Sequence, residues 1–591
     1  MIGVFKFNSS FLSIEKFINS YDYYIFLGRN PLVSHSIDKF LEKKSIKRID
    51  YKKDFKDLQY ELVDDYISFI ELNEEEDYKA DWWKTRLSGK NPWISNFFLR
   101  FCQVKIVLNI IEKLSTFGKV IIIIEDTSVY YTIINHLNFI KFQFQILNKD
   151  NHFASLSLII KGILRRIYSI PFYIYKFILF KLLFFSSSNR IFLKNKIFAY
   201  SFIDSRCFEG NKYSDPFIGK FLEKLHLNQS YSIIPVLSNV SLKSLIIFRK
   251  WLRKTKNSAS FPYEYLSIKF LIEIFKIPPH AKKVVFHGID VSHLISFERL
   301  EEWCDFSIHN ELIFRISSII DSQDQNKVII YPFENQIWER FMISSFKNLD
   351  FNNLIIALQN APCPKLSTRY FCSFKTRYKV PMPNLILTTG KISYHNLSKF
   401  WNKDKLNQFS TSRKIIELST KANIQNKKNV MVACSISPKE SIELILFALE
   451  SLSKTSYNIF IVPHPLSRLN CSNLLRNFNH PSNITINHRY KDVMLKSKFI
   501  LFDSSTAGIE GLMNGLVPIR VVHKHSLNVN PSEYDDKYTK IVYTKNQLLN
   551  ILESNPIYNK KSKETALKYY ISDDLNLSLK IKSQISRIIY D

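Results

Sequence analysis

The 591-residue sequence has few of the residues that mark metal, redox or phosphate-loop proteins. Its 12 glycines form no GxGxxG and no Walker A loop, and its 7 cysteines are scattered without a CxxC pair. There is also no HExxH and no Cys/His cluster with metal-ligand spacing. Scattered thiols are typical of reduced, mostly buried cysteines in a cytosolic compartment. ATP, NAD and zinc chemistry are therefore not indicated, and we expect neither a metal nor a cofactor.

Long uncharged apolar runs are missing too, and none approaches the ~20 residues that cross a bilayer. The N-terminal MIGVFKFNSS lacks the pattern of a signal peptide and predicts a first strand. The most apolar segment, 158–192, is interrupted by cations: Lys161, Arg165, Arg166, Lys176, Lys181 and Arg190. Such a basic, aromatic segment predicts a helix in a membrane interface, with Pro171 breaking or kinking it. The alternative is a pair of buried helices joined at Pro171.

The formal net charge of +29 could indicate a nucleic-acid partner. However, the chain is rich in Lys, Asn, Ile and Phe throughout, and we find no zinc-finger spacing, RNP-type aromatic motif or helix-turn-helix pattern. A basic surface facing anionic lipid fits better, so we expect a membrane surface and no nucleic acid. A nucleic-acid binder would instead show steeply salt-dependent binding to DNA or RNA.

The length requires more than one hydrophobic core, and 46% hydrophobic residues exclude a disordered chain. Apolar runs ending in polar residues alternate with helical patterns, which predicts an α/β protein. We predict five parts, namely an N-terminal α/β region (1–157), a membrane-interface segment (158–192), the remainder of the N-terminal lobe (193–400), a polar linker (401–427) and a C-terminal nucleotide-binding domain (428–591).

The stretch FDSSTAGIEGLMNGLVPI, residues 502–519, predicts a βαβ unit. An apolar strand precedes the hydroxyls of Ser504, Ser505 and Thr506, and a helix then continues to Gly515 before another strand. Helix starts at the carboxyl end of a parallel sheet are where α/β folds bind anions. The alternative is that the hydroxyls only cap the helix.

A second motif, IFIVPHP, is a buried strand that ends in His464-Pro465. Forty residues separate His464 from Ser504, enough for a helix, a strand, a helix and a strand. Both motifs then lie at one edge of a parallel sheet and can converge on a nucleotide phosphate. Glu510, inside the following helix, could reach a ribose hydroxyl or face solvent. A lone His-Pro at a strand end would be a turn.

Together, VPHP and DSSTAGIEGLMNGLVPI resemble the donor-binding half of GT-B glycosyltransferases, in particular bacterial enzymes that use CMP-activated sialic acid or Kdo. In those enzymes an HP motif and a Ser-Ser/Thr motif hold the CMP phosphate. The resemblance implies that role for His464, Pro465, Ser504, Ser505 and Thr506. Residues 81–93, 200–225, 331–339 and 381–390 resemble bacterial surface-carbohydrate biosynthesis proteins of O-antigen and capsule clusters. An α/β, GT-B-like fold is implied, with two Rossmann-like lobes facing a cleft and a basic apolar membrane-associating insertion.

Two carboxylates compete for the role of catalytic base. Asp126 follows the strand VIIII in an acidic pair like that of the sialyltransferases, although Thr127 replaces their glycine. Glu334 ends the strand in YPFENQ, next to amide groups that could orient it. Asp126 could instead be a solvated strand end or a helix N-cap, and Glu334 could instead make a helix-capping or interdomain hydrogen bond. Related transferases carry Gln-His-Gly where this chain has Gln359-Asn360-Ala361, so a role for that histidine does not carry over. We add four candidates to the cleft: Asp204, Arg206, Gln336 and Gln359.

The resulting hypothesis is a metal-independent glycosyltransferase of surface-polysaccharide assembly. It would move a sugar, most simply a CMP-activated ulosonic acid, from the nucleotide to a lipid-linked glycan acceptor. Charge developing on the leaving phosphate would be stabilised by His464 and the hydroxyls, while a carboxylate takes the acceptor proton. The protein would be cytoplasmic and peripheral on the inner membrane face. The alternatives are a CDP-glycerol-type phosphotransferase and a non-catalytic membrane-associated scaffold.

Overall fold

Runs of β-branched and aromatic residues without charge form the strands, as in Val120–Ile124, where all five side chains are buried. The computed structural model places these strands in three parallel sheets. It describes residues 2–7, 11–72, 82–113, 118–148, 153–184, 195–224, 230–238, 240–255, 257–267, 271–272, 275–278, 281–305, 308–323, 326–346, 353–373, 381–409, 426–478, 481–533, 537–554, 556, 560–569 and 577–590.

The N-terminal sheet has five strands in the order β3-β2-β4-β1-β5, and every pairing is parallel. Its strands are β1 (Ile2–Lys6), β2 (Tyr23–Leu27), β3 (Lys47–Arg48), β4 (Val120–Ile124) and β5 (Gln145–Ile146). Its helices are α1 (Phe11–Ile18), α2 (Pro31–Lys43), α3 (Lys52–Leu72), α4 (Arg86–Gly89), α5 (Phe97–Glu112) and α6 (Thr127–Phe139). The carboxyl ends of β2 and β4 are neighbours, so Arg29 and Asp126 meet there.

A long helix, α7 (Phe153–Phe184), connects this sheet to the next. Pro171 lies inside it, so the expected break is absent and α7 is one continuous helix. Pro171 and Ile167, whose carbonyl loses its usual donor, both lie on the exposed side of α7, so the loss is not enclosed by protein. Arg190 lies outside the described residues.

The middle sheet has seven parallel strands in the order β10-β9-β6-β13-β14-β15-β16. Strands of this segment are β6 (Ile197–Ile203), the hairpin β7 (Phe208–Glu209) and β8 (Lys212–Tyr213), β9 (Ser232–Leu237), β10 (Ser258–Ala259), the hairpin β11 (Val285–Phe286) and β12 (Ile289–Asp290), β13 (Val328–Phe333), β14 (Leu354–Gln359), β15 (Leu385–Thr389) and β16 (Leu406–Phe409). Helices are α8 (Gly219–Lys224), α9 (Leu242–Thr255), α10 (Ser292–Cys304), α11 (Ile308–Asp321), α12 (Ile337–Ser345) and α13 (Gly390–Leu397).

The N-terminal and middle sheets belong to one lobe because they share one continuous core. Residues of both sheets, such as Val4 and Ile122 on one side and Tyr200 and Ile329 on the other, are buried in a single hydrophobic cluster. The segments 1–157 and 193–400 thus form separate sheets within one lobe. Residues 406–409, expected in the linker, form the last strand of the middle sheet, and 410–425 lie outside the described residues.

The C-terminal lobe has its own six-stranded parallel sheet in the order β19-β18-β17-β20-β21-β22. Its strands are β17 (Asn426–Ala433), β18 (Asn458–Val462), β19 (Ile484–Ile486), β20 (Ser497–Phe502), β21 (Val517–Val521) and β22 (Lys540–Val542). Its helices are α14 (Pro438–Leu452), α15 (Cys471–Arg476), α16 (Tyr490–Lys496), α17 (Ala507–Met513), α18 (Lys545–Ser554), α19 (Lys560–Leu567) and α20 (Leu577–Tyr590). In chain order the strands run 3-2-1-4-5-6, the doubly wound Rossmann arrangement.

The two lobes contact each other at the carboxyl edge of the C-terminal sheet. Lys524 Nζ lies 2.9 Å from Asp38 Oδ2, and His525 Nδ1 lies 2.9 Å from the carbonyl of Gly28. At the other end, Ile581 and Ile585 of α20 are buried in the core of the middle sheet. The C-terminal helix therefore returns to the first lobe. The predicted α/β architecture with parallel sheets is confirmed.

The exposed side of α7 is apolar. The most apolar 18-residue window within Leu156–Phe184 has a mean hydropathy of 1.5, and 11% of that window is buried. By length and composition alone, α7 is therefore long and apolar enough to cross a membrane. Its buried side packs on α10, where Gly162 faces the ring of Trp303 and the Arg166 guanidinium stacks on that ring at 3.8 Å. The alternative of two buried helices is not what the structure has.

Candidate active site at the junction of the lobes

The His-Pro and Ser-Ser-Thr motifs both lie at the carboxyl edge of the C-terminal sheet. His464 follows β18 and Ser504 follows β20, and these two strands flank the central β17 on either side. The chain reverses its winding between β17 and β20, and this switch point opens a crevice in which doubly wound folds bind ligands. The parallel sheet that the sequence predicted thus brings the two motifs to one crevice.

The glycines after the hydroxyl row allow α17 to lie close to its own strand. A Cβ on Gly508 would lie 2.4 Å from the Phe502 ring, and one on Gly511 would lie 2.7 Å from Ile500. Gly515, just after the helix, has a φ of 85°, which favours glycine. Ser505 Oγ accepts a 3.3 Å hydrogen bond from the Ala507 N–H, whereas Thr506 makes no side-chain cap. Of the three hydroxyls, Ser505 thus caps the helix.

His464 is half-buried, and Pro465 beside it is exposed. The Leu466 N–H donates a 3.2 Å hydrogen bond to His464 Nδ1. A ring nitrogen that accepts a hydrogen bond carries no proton, so Nε2 is the donor nitrogen of this histidine. The turn thus fixes His464 as a hydrogen-bond donor at the crevice, the property that a phosphate site requires.

Glu440, which sequence reasoning missed, lies beneath the hydroxyls. Ser504 Oγ donates to Glu440 Oε2 at 2.6 Å, and Ser435 Oγ donates to the same oxygen at 2.8 Å. Burial, together with the charge of Asp503, raises the pKa of Glu440 to about 7, against the lowering effect of the Ser504 hydrogen bond. The protonation of Glu440 therefore changes near neutral pH and decides which way the Ser504 proton points.

A second buried network supports the same edge. His523 Nε2 lies 2.6 Å from Asp503 Oδ2, and its Nδ1 lies 3.4 Å from Glu443 Oε2. Burial opposes the charge on His523, but the two carboxylates outweigh it and raise its pKa to about 10. The same pairing holds the pKa values of Asp503 and Glu443 below their usual range despite burial. A charged imidazolium between two carboxylates thus anchors the end of β20.

Glu510 is oriented by a neighbouring ring. Its Oε2 accepts a 2.9 Å hydrogen bond from the hydroxyl of Tyr490, at the start of α16. That Glu510 contacts a ribose hydroxyl of the donor nucleotide stays a prediction.

Glu334 lies where β13 ends, next to the switch point of the middle sheet between β6 and β13. Its side chain is 31% exposed, and its Oε2 accepts from Gln336 Nε2 at 2.7 Å and from Arg369 at 3.4 Å. A neighbouring amide, that of Gln336, therefore orients Glu334 as predicted. Glu339, one turn on, accepts from the Glu334 and Asn335 N–H groups, and burial raises its pKa to about 8. Glu334 thus has a partly exposed carboxylate, while Glu339 holds the backbone of Glu334 and Asn335.

Asp126 is placed differently. Its Oδ1 caps α6 by accepting from the Ser128 N–H at 2.9 Å, and its Oδ2 lies 2.9 Å from Arg100 Nε and 3.2 Å from Arg29. Burial opposes ionisation, but Arg100 and Arg29 hold the pKa of Asp126 well below its usual range. A carboxylate held this way is a weak proton acceptor. Its catalytic role stays a prediction, and the geometry favours Glu334.

The remaining candidates are engaged within the protein. Asp204, which is buried after β6, accepts from Arg206 Nη2 at 2.6 Å, and Arg206 stacks over Phe217 at 4.8 Å. Gln359 Nε2 donates to the Ala361 carbonyl, and its Oε1 accepts from the Thr389 N–H at 2.7 Å. Gln359 therefore ties β14 to β15. No group in the described part of the chain has three His, Cys, Asp or Glu side chains placed to hold a metal ion.

A polar cavity of about 500 Å³, which we call the junction cavity, lies between the lobes. Its walls come from the N-terminal sheet, α7, α10 and the first turn of α14; they include Arg29, Arg86, Trp93, Asn96, Leu158, Lys161, Arg165, Glu301, Asp305 and Lys439. Asp126 and Arg100 line an adjoining hollow that shares Arg29, Glu301 and Lys439. None of the cations was singled out as a cleft residue from the sequence, since they come from four separate segments.

Comparisons with known proteins give low overall similarity. No protein-family profile and no curated protein sequence matches the chain. Among solved structures, the wall teichoic acid polymerase TagF covers 73% of this chain and 98% of its own, at 12% identity and a TM-score of 0.33. The calicheamicin glycosyltransferase CalG4 covers 67% of this chain and 98% of its own, at 8% identity and a TM-score of 0.37. Acinetobacter baumannii MurG covers 66% of this chain and 100% of its own, at 10% identity and a TM-score of 0.34. Because these identities and TM-scores are low, we assign the fold and the candidate site from the strand order and side chains of this chain alone.

Proposed function

We propose that this protein is a glycosyltransferase of bacterial surface-glycan assembly that uses a nucleotide-activated sugar, most simply a CMP-linked ulosonic acid. One observation carries the proposal. The His-Pro and Ser-Ser-Thr motifs flank β17 at the switch point of a Rossmann-ordered sheet, and this sheet faces a second α/β lobe across cavities. These motifs are the ones that resemble the CMP-binding half of sialic acid and Kdo transferases.

In this proposal the donor phosphate binds at the carboxyl edge of the C-terminal sheet. His464 Nε2–H and the Ser504 hydroxyl donate to the phosphate oxygens as the sugar–phosphate bond breaks. The charge on the departing nucleotide is thereby stabilised where it develops.

The acceptor hydroxyl would lose its proton to Glu334. The partial exposure of this carboxylate and its hydrogen bond from Gln336 support that role. The reaction would then form the new glycosidic bond, release the nucleotide and leave the proton on the carboxylate. No metal is assigned to the reaction.

The acceptor is proposed to be lipid-linked, with the protein bound peripherally to the cytoplasmic face of the membrane through α7. Exposed apolar side chains such as Ile160, Ile167, Phe172 and Leu182 share one side of this helix. Lys161 and Arg165, which are also exposed, can reach anionic headgroups.

The donor site is tested first by thermal unfolding with CMP, CDP, UDP, UMP, GDP and ADP. A ligand at ~100 Kd should add about 2.7 kcal/mol to stability. We expect a CMP-selective shift that His464→Ala removes and that Arg489→Ala, on the exposed turn before α16, retains. A preference for UDP or GDP would replace the donor class, and no shift with any nucleotide would favour the scaffold alternative.

Product analysis separates the two enzyme classes. Incubation with a CMP-linked sugar and a lipid-linked glycan should give a glycosidic linkage. A phosphodiester product from CDP-glycerol would instead identify the phosphotransferase.

Membrane binding is tested on vesicles with two matched substitutions. Tyr168 on α7 and Phe139 at the end of α6 are both 77% exposed. We expect Tyr168→Glu to reduce co-sedimentation with anionic vesicles and Phe139→Glu to leave it unchanged. Equal behaviour of the two variants would reject α7 as the membrane contact.

A further inference from the structure

The junction cavity carries more positive than negative charge. Five cations line it, contributed by four separate segments: Arg29, Arg86, Lys161, Arg165 and Lys439. Among the residues that the structure describes, two carboxylates line the same cavity, Glu301 and Asp305. Like charges gathered in a partly enclosed space raise its potential, so the cavity attracts anions.

The carboxylates do not neutralise every cation. Arg86 and Arg165 both pair with Asp305, and Arg29 lies 3.2 Å from Asp126 in the adjoining hollow and 3.5 Å from Glu301. Lys161 and Lys439 make no ion pair within the described ranges of the chain. Burial, and then the charge of Arg29, lowers the pKa of Lys439. A bound anion would relieve this repulsion between cations.

The cavity also opens onto the apolar helix. Leu158, Lys161 and Arg165 of α7 are part of its wall. A shallow hollow along α7, lined by Ser157, Ile160, Lys161, Leu164 and Arg165, shares two of these residues and continues from the cavity over the exposed apolar face. A molecule with an anionic head and an apolar tail fits this arrangement, because the head meets the cations while the tail follows α7.

The same cavity connects to the proposed base. The Arg369 guanidinium lies 5.1 Å from the centre of the Trp93 ring, which lines the cavity, and Arg369 also donates to Glu334. Arg369 thus links one wall residue of the cavity, Trp93, to Glu334.

We infer that the junction cavity binds the phosphate or diphosphate that links the acceptor to its lipid. This inference rests on the proposed function, in which the acceptor is held in a membrane. The shared chemistry is a phosphate ester, which a lipid-linked acceptor or an ordinary anionic lipid could supply, and the test separates the two.

The first arm measures binding of inorganic pyrophosphate by calorimetry on the full-length protein carrying His464→Ala, so that the donor site does not report. Lys161→Gln and Lys439→Gln remove one cavity cation each. Lys181→Gln is the matched control, since Lys181 lies on the same helix beside Phe177 and does not line the cavity. We expect each cavity substitution to weaken binding about tenfold, as for one charge-assisted hydrogen bond, and the control to have no effect.

The second arm identifies the source of the phosphate. Vesicles containing a polyisoprenyl diphosphate are compared with phosphatidylglycerol vesicles of equal surface charge. We expect the protein to bind the diphosphate vesicles more tightly than the phosphatidylglycerol vesicles. Lys161→Gln should remove this preference, and Lys181→Gln should keep it. Equal binding to both vesicle types would overturn the acceptor assignment. Absent pyrophosphate binding, or equal loss in Lys181→Gln, would overturn the site itself.

Failure of this inference is distinguishable from failure of the proposed function. The nucleotide screen depends on His464 and needs neither pyrophosphate nor vesicles. A retained CMP shift without pyrophosphate binding would reject only the cavity, whereas pyrophosphate binding without any nucleotide shift would reject only the donor site.

Discussion

The donor edge of the C-terminal sheet and the junction cavity are both clusters of polar side chains between the lobes, but they are built in opposite ways. The donor edge comes from one sheet, and its two motifs are 40 residues apart in a contiguous domain. The junction cavity takes Arg29, Lys161, Glu301 and Lys439 from four segments spread over most of the chain. The donor edge is a local consequence of strand order, whereas the junction cavity forms only where the two lobes and α7 meet.

The difference also appears in how the charges are balanced. At the donor edge, His523 is enclosed by Asp503 and Glu443, so its charge is compensated and serves to hold the backbone. In the junction cavity, positive charge is in excess and partly exposed. Compensated buried charge is typical of structural support, and uncompensated charge at a cavity is typical of ligand binding.

The largest expected effect contrasts the two candidate bases. Glu334→Gln should lower the rate of sugar transfer about 10²–10⁴-fold while leaving the unfolding temperature unchanged, because a general base is lost from a partly exposed position. Single-turnover kinetics with thermal unfolding measures both quantities. Asp126→Asn should show the reverse pattern, with the loss mainly in stability, since Arg100 and Arg29 each lose one of their carboxylate partners. A lower rate with intact stability in Asp126→Asn would reassign the base.

Breaking the buried network at the donor edge should destabilise the C-terminal lobe. His523→Gln leaves Asp503 and Glu443 without their cation, which costs about 3–5 kcal/mol of unfolding free energy. Because the folded-state pKa of His523 is raised from 6.5 to about 10, its contribution is fully present below pH 6.5 and is lost as pH rises through about 10. Urea unfolding between pH 6 and pH 10 should show this loss in the native protein and not in the variant. The same dependence of unfolding free energy on pH in the native protein and in His523→Gln would contradict the role of this network.

Removing one hydroxyl should weaken nucleotide binding by an intermediate amount. Ser504→Ala deletes a donor to the phosphate, and one hydrogen bond to a charged group is worth about 1.5–3 kcal/mol, or roughly 10-fold to 150-fold in Kd. Ser505→Ala is the matched control, because Ser505 Oγ already caps α17 and should contribute less. Calorimetric titration with the preferred nucleotide decides between them. A larger loss in Ser505→Ala would exchange their roles.

The smallest effect is a pH dependence set by Glu440. When ionised, Glu440 accepts the protons of Ser504 and Ser435; when protonated, it no longer requires the Ser504 proton, which can turn to a phosphate. Nucleotide binding should therefore weaken as pH rises above about 7, by up to about tenfold per unit, because binding takes up one proton. Titrations from pH 6 to pH 8.5 measure the slope, and Glu440→Gln should flatten it. An unchanged slope in that variant would assign the proton to another group.

Several features of the site were predictable from residues near each other in sequence. The strand before Asp503, the helix ending at Gly515 and the strand before His464 follow from apolar runs, turn residues and glycine placement. Because the side chains of a parallel sheet's carboxyl ends share one edge, the convergence of the two motifs followed as well. The orientation of Glu334 by a neighbouring amide was also predictable, because Gln336 is only two residues away in sequence.

Glu440, Glu443 and His523 were missed because nothing in their local pattern separates them from solvated residues of a helix or a turn. Their roles arise when α14 and the end of β21 meet β20. Pro171 is a different case, because its local rule predicts a break or a kink and the helix α7 has no break there.

The sequence by itself thus determined the α/β class, the parallel C-terminal sheet and the edge at which its two motifs lie, because strand, turn and helix signals act over a few residues. Only the tertiary structure decided that the N-terminal and middle sheets share one core, that Asp126 is held by arginines, and that five cations from four segments surround one cavity. Burial and charge pairing are properties of residues brought together from distant positions. They have no counterpart in the local pattern of the chain.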